Sequence, residues 1–217
     1  MTPFQRRSDI AKDVIHFTKG DTPAEAFDVF AHIVAERRLL GGNGFIKGGY
    51  TCVCLTEAPL EHLADVFART ATERLRYMPF GILLPKKWLF ARGGRPVIYQ
   101  EENEFFELPE SLRYRHVRYE PNHEPAIDFT WEREWRVRTE ELRLDPTTGF
   151  LVLPSQEYLD ELQRQHDIAQ DREFQLHSLV LDSQLAEQLR EPFLWSSYLL
   201  EPPELPQYKR PSITRAV

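Results

Sequence analysis

The chain has 217 residues, 41% hydrophobic and 28% charged, with a net charge of −7. That is the composition of an ordinary globular domain with enough apolar side chains for one core. The acidic balance excludes a surface coated in basic residues for bulk nucleic-acid binding, while leaving room for a local basic groove. No stretch approaches the length of apolar run that spans a membrane, so a cytoplasmic chain without membrane association is expected.

In chain order, Asp13 to Thr18 reads as an opening strand. Val14, His16 and Thr18 share one face of it, and Ile15 and Phe17 the other. Thr22-Pro23-Ala24-Glu25 is a helix start: Thr22 caps, Pro23 suits the first helical position and Glu25 completes a capping box. Phe27, Phe30, Ile33 and Val34 form its apolar stripe, and Gly41-Gly42 is expected to end it. The glycine-rich run from Gly41 to Gly49 suits a turn, or backbone lying close to a phosphate, but matches no phosphate-loop spacing.

Tyr50 to Thr56 reads as a second strand, followed by a helix carrying Leu60, Leu63, Ala64 and Phe67 on one side. Its two cysteines, Cys52 and Cys54, suit reduced core thiols rather than a disulfide or a metal site. Phe80 to Leu84, Pro96 to Tyr99 and His116 to Tyr119 are further strands, with a helical turn and glycine stop between Pro85 and Gly94. A turn through Pro121 and Pro125 follows. Ser155 to about Asp171 is a polar helix, Phe174 to Leu181 a last strand, and Ser183 caps a short helix. The prolines from Glu191 onward predict an extended tail over residues 191–217, packed through Phe193, Trp195 and Tyr198. The mixed order of elements predicts a single α+β domain over 1–217, with a core at about 12–140 and an elaboration at 150–190.

The densest signal is Ile127 to Arg138, which alternates as one strand. Phe129, Trp131, Arg133, Trp135 and Val137 fall on one face; Thr130, Glu132, Glu134, Arg136 and Arg138 fall on the other. Two Glu at i and i+2 of a strand lie roughly 6–7 Å apart at the backbone, close enough to share one substrate.

His-Phe-Thr on the first strand, Thr56 at the end of the second and the Glu-Arg-Glu-Trp-Arg strand together resemble the ADP-ribosyltransferase superfamily. In that superfamily His or Arg, a Ser/Thr or Tyr, and Glu come from three successive core strands. The look is closest to the AbiGi-like abortive-infection proteins and more distantly to DarT-type enzymes. The resemblance implies a split antiparallel sheet core with flanking helices, NAD as substrate, and transfer of ADP-ribose to a nucleic-acid or protein acceptor by a toxin or phage-defence effector. It implies Glu134 as the carboxylate that steadies the nicotinamide ribose and Glu132 as the group that orients or deprotonates the acceptor. His16 and Thr18 would meet the adenosine ribose, Thr56 would buttress the catalytic Glu, and Tyr50 or Tyr99 would stack on nicotinamide. Arg95 and Lys86 are candidates for the pyrophosphate, and Arg113, Arg115, Arg118, Arg136 and Arg138 for a phosphate-facing strip. The chain departs from the pattern in lacking a Ser-Thr-Ser triplet and the paired tyrosines of strict His-Tyr-Glu members.

Two other classes fit the same residues. One is a non-catalytic binding module of the same fold, an antitoxin or sensor with a cognate toxin or antitoxin partner. The other is a metal-dependent nuclease using Asp128, Glu132 and Glu134.

Overall fold

The computed structural model describes residues 11–57 and 77–200. The expected helix at Leu60 to Phe67, and the tail beyond residue 200, lie outside the described residues. Eleven strands are present among them: β1 (Asp13–Lys19), β2 (Arg38–Leu40), β3 (Cys52–Thr56), β4 (Tyr77–Pro85), β5 (Arg95–Pro96), β6 (Ile98–Gln100), β7 (His116–Arg118), β8 (Glu134–Arg138), β9 (Glu141–Arg143), β10 (Phe150–Leu153) and β11 (Ser196–Leu199). The helices are α1 (Pro23–Glu36), α2 (Lys86–Ala91), α3 (Glu110–Arg113), α4 (Gln156–His177) and α5 (Ser183–Gln188).

Seven strands form one sheet in the order β11-β10-β4-β1-β3-β8-β5, antiparallel throughout except for the parallel β10–β11 pair. Two small sheets flank it, β2–β9 antiparallel and β6–β7 parallel. The result is a mixed α and β domain built on a large, mostly antiparallel open sheet with flanking helices.

β4 is an apolar run buried on both faces, as a central strand should be. On one face α1 lays Phe27 and Phe30 against Phe80, and Tyr158 of α4 closes the cluster at ring distances of 4.9–5.9 Å. On the other face Ile15, Phe17, Leu83, Val152 and Leu200 form a smaller core. Gly81 pairs with Phe17, and a Cβ there would come within 2.8 Å of the Ile15 side chain. Only glycine lets those two residues lie down on the strand.

α1 starts as its sequence dictates. Thr22 accepts from the Glu25 amide at 3.2 Å, while the Glu25 carboxylate reaches the Asp21 amide, one residue earlier than a standard box. It ends earlier than expected. Arg37, not a glycine, takes the left-handed conformation (φ 53°, ψ 41°), and the chain enters β2 before reaching Gly41.

Five further expectations are corrected. The strand expected over Ile127 to Arg138 begins only at Glu134; Asp128 accepts from the Thr130 amide and hydroxyl at 2.8 and 2.6 Å, and so curls Thr130–Glu132 into a 3-10 turn. Pro96 to Tyr99 divides at Val97 into β5 and β6, which serve different sheets. Phe174 to Leu181 is not a strand: α4 continues to His177, Ser178 bonds back to the Phe174 carbonyl, and Leu179 and Val180 are 80% exposed. Asp182 caps the helix that follows, its carboxylate accepting from the Gln184 and Leu185 amides. The segment after Glu191 does hold regular structure. β11 fits between Pro192 and Pro202 and pairs with β10, a strand not anticipated, while Trp195 packs into the core.

No described helix is long and apolar enough to cross a membrane. Phe80→Ala should lower unfolding stability by about 3–5 kcal/mol, because the buried ring has aromatic partners on two helices and its cavity cannot collapse. Urea unfolding followed by tryptophan fluorescence measures it.

Candidate functional site

β1, β3 and β8 lie side by side, and the register sets Ile15 opposite Thr56 and Thr56 opposite Glu134. Two adjoining recesses of about 90 and 710 Å³ are lined by His16, Cys54 and Glu134, one residue from each of the three strands. His16, Lys19, Cys54, Tyr77, Glu132 and Glu134 line both. Thr56 lines the smaller, and the glycine-rich loop from Gly42 to Lys47 contributes a wall of the larger.

Glu132 and Glu134 reach this cleft by a route that strand parity does not describe. Glu132 closes the 3-10 turn, and Arg133 then takes a left-handed conformation (φ 45°, ψ 50°). For a residue with a Cβ that costs about 1–2 kcal/mol. Surrounding bonds hold the turn. The Thr56 hydroxyl donates to the Glu132 carbonyl, and the Glu57 amide donates to the Arg133 carbonyl at 3.3 Å. The Tyr99 hydroxyl donates to the Phe129 carbonyl and accepts from the Glu134 amide, each at 3.2 Å.

The Glu134 carboxylate meets Arg136 in a fork, with Nε to Oε1 at 2.8 Å and Nη2 to Oε2 at 3.0 Å. Arg136 is buried, and its Nη1 donates to the Tyr114 and His116 carbonyls at 2.8 and 3.1 Å. Burial works against the guanidinium charge, but the attraction and hydrogen bonds of Glu134 outweigh it and raise the Arg136 pKa. A carboxylate offers about four acceptor positions. Arg136 takes two, leaving acceptor capacity toward the cleft.

His16 Nδ1 lies 2.8 Å from the Cys54 carbonyl, an acceptor only, so Nδ1 carries the proton and Nε2 is left as an acceptor. Burial lowers the His16 pKa, with nearby Lys19 adding to the effect, so the ring is neutral at pH 7. Burial and the two carboxylates push the Tyr77 hydroxyl well up. Burial, and then Glu134, push the Cys54 thiol far above its usual range, so it stays protonated and is not a nucleophile.

The other candidates are distributed as follows. Thr18 is buried, its hydroxyl bound to the Phe80 carbonyl at 3.3 Å, and lines neither recess. Tyr50 lies under the Arg138 guanidinium at 4.7 Å, and neither it nor Tyr99 lines a recess. Lys86 is paired with Glu57 at 2.6 Å, and Arg95 stacks on Phe90, both away from the cleft. Arg113 and Arg115 donate to the Leu108 and Pro96 carbonyls; of the expected basic strip, Arg118 and Arg136 line the larger recess. Asp128 is spent on the turn, and no group of three metal-ligating side chains occurs among the described residues.

Lys19, Phe45, Tyr77 and His116 line the cleft without having been singled out. Lys19 sits 4.6 Å from the Tyr77 ring centre and 5.6 Å from that of Phe45, which is 87% exposed on the glycine-rich loop. That loop was the one sequence signal for this wall. Lys47, its only cation, is held by the Glu102 carbonyl and carboxylate at 2.7 and 2.6 Å. No family model, curated protein or solved structure matches this chain.

The state of His16 has a consequence for stability. Its folded pKa is below the unfolded value, so the folded state holds fewer protons as pH falls through 6.5. Stability should be full above pH 6.5 and decline below it. His16→Asn, which keeps a donor near Nδ1, should flatten that decline between pH 7 and 5; denaturant midpoints across this range test it.

Proposed function

We propose that this chain is an NAD-dependent ADP-ribosyltransferase, a toxin or phage-defence effector that modifies a nucleic-acid or protein acceptor. The observation carrying the reading is the adjacency of β1, β3 and β8, with His16, Thr56 and the Glu132–Glu134 pair opening on one cleft. The resemblance draws the same three residue types from three core strands. A recess of about 710 Å³ is also within the usual range for a cofactor-sized ligand.

In this reading His16 Nε2 accepts from a hydroxyl of the adenosine ribose. Tyr77, rather than Tyr50 or Tyr99, meets the nicotinamide ring, since it lines both recesses. Glu134 holds the 2′-hydroxyl of the nicotinamide ribose. As the C1′–N bond breaks, nicotinamide leaves with the bonding pair and the ribose acquires positive charge. The carboxylate, already fixed by Arg136, opposes that charge without reorganising. An acceptor atom then bonds to C1′ and gives its proton to Glu132. Thr56 contributes indirectly, holding the Glu132 carbonyl and with it the turn.

Glu134→Gln is the variant of choice. It keeps the shape and one acceptor for Arg136, whereas Ala would remove both acceptors from the buried guanidinium at a cost of about 3–5 kcal/mol. Transfer of label from radioactive NAD to nucleic acid or protein should fall about 10²–10³-fold in Glu134→Gln. Wild-type labelling no greater than that of the variant would rule the enzyme out.

One observation favours the second reading, a non-catalytic binding module: Glu134 is already neutralised by a buried partner. Expression separates the two. The enzyme is toxic in a Glu134-dependent way; the module is harmless alone and rescues cells from a co-expressed toxin.

A further inference from the structure

The turn from Phe129 to Glu134 carries both carboxylates, yet little of its own backbone bonding sustains it. It makes two short-range bonds, from the Glu132 amide to Phe129 and from the Arg133 amide to Thr130, and then passes through the left-handed Arg133. Thr56 and Glu57 fasten its middle. Its two ends, the Phe129 carbonyl and the Glu134 amide, meet at one atom, the hydroxyl oxygen of Tyr99 on β6.

We propose that Tyr99 is a positioning residue for the carboxylate pair, closing the 129–134 turn through its hydroxyl and so fixing how Glu132 and Glu134 are set relative to each other in the cleft. The oxygen uses a donor and an acceptor at once, one for each end of the turn, which a phenylalanine cannot do. Its ring lines neither recess, so it acts through the turn and not on a ligand. Burial pushes its pKa up to about 12, which keeps the donor proton in place at any working pH. Tyr99 stands outside the three strands that supply His16, Thr56 and Glu134. It links the turn to the small β6–β7 sheet, whose His116 carbonyl also receives Arg136.

The catalytic consequence rests on the transferase reading, and the test keeps the two apart. Tyr99→Phe retains the ring and removes one oxygen. In NAD turnover, kcat should fall roughly 10–100-fold, the scale for a small misplacement of reacting groups, with KM for NAD within about twofold. Amide exchange, which needs no activity, should accelerate at Phe129–Glu134 while Trp135–Arg138 and β3 keep their protection. An unchanged kcat, with Glu134→Gln inactive, overturns the proposal. So does faster exchange across the whole sheet with kcat and KM impaired together, which marks a general loss of stability. If wild type and Glu134→Gln are equally inactive, the transferase reading fails instead; the exchange pattern alone then decides whether Tyr99 holds the turn.

Discussion

The buried fork between Glu134 and Arg136 is the interaction on which the surrounding structure turns. Both side chains leave β8 on the same side, two residues apart, and each is largely removed from water. Ions buried in this way are tolerated only when paired and otherwise hydrogen-bonded. The remaining donor of Arg136 therefore goes to the Tyr114 and His116 carbonyls, at the start of β7. One charge pair thus joins the large sheet to the small β6–β7 sheet and builds the wall between them. His116, Val117, Arg118 and Arg136 of that wall line the larger recess together with His16 and the glycine-rich loop.

The second constraint is the backbone of Arg133. Had Ile127 to Arg138 run as one straight strand, Glu132 and Glu134 would share a face by pleat alone. The protein brings them together differently, with a 3-10 turn and a single left-handed residue, and distributes the cost over bonds from β3 and β6. Strain maintained by several independent partners is common where side chains must be held against their own preference. The two carboxylates thereby arrive on separate pieces of backbone, Glu132 from a turn and Glu134 from a strand. They can differ in mobility and in role.

What the sequence made legible was local. The cap at Thr22, the stripe of α1, the strand at Cys52–Thr56 and the parity of Glu134, Arg136 and Val137 all depend on neighbours within a few residues. His16, Thr56, Glu132 and Glu134 were therefore legible as candidates. What failed was long-range or decided by one side chain. Asp128 diverts the backbone by capping its own turn, which alternation cannot reveal. β11 finds β10 46 residues back, and the prolines that read as prohibitive flank the strand rather than enter it. Lys86 and Arg95 looked like phosphate ligands because a charge in sequence carries no sign of its partner; Glu57 and Phe90 supply it. Tyr99 was legible as an aromatic near the site, but whether its ring or its oxygen mattered depends on two backbone groups thirty and thirty-five residues away.

The large sheet stops beyond β8 at Arg95–Pro96, a strand of two residues. A proline has no amide hydrogen, and two residues present almost no ladder of open donors and acceptors to a passing chain. That margin is blunt and offers a second molecule little on which to add a strand. Among the described residues, β8 is paired along its length with β3 and, at Trp135 and Arg136, with β5. Among those residues, the stretch of β8 next to Glu134 is thereby closed to intermolecular sheet growth, which would bury the cleft in an aggregate.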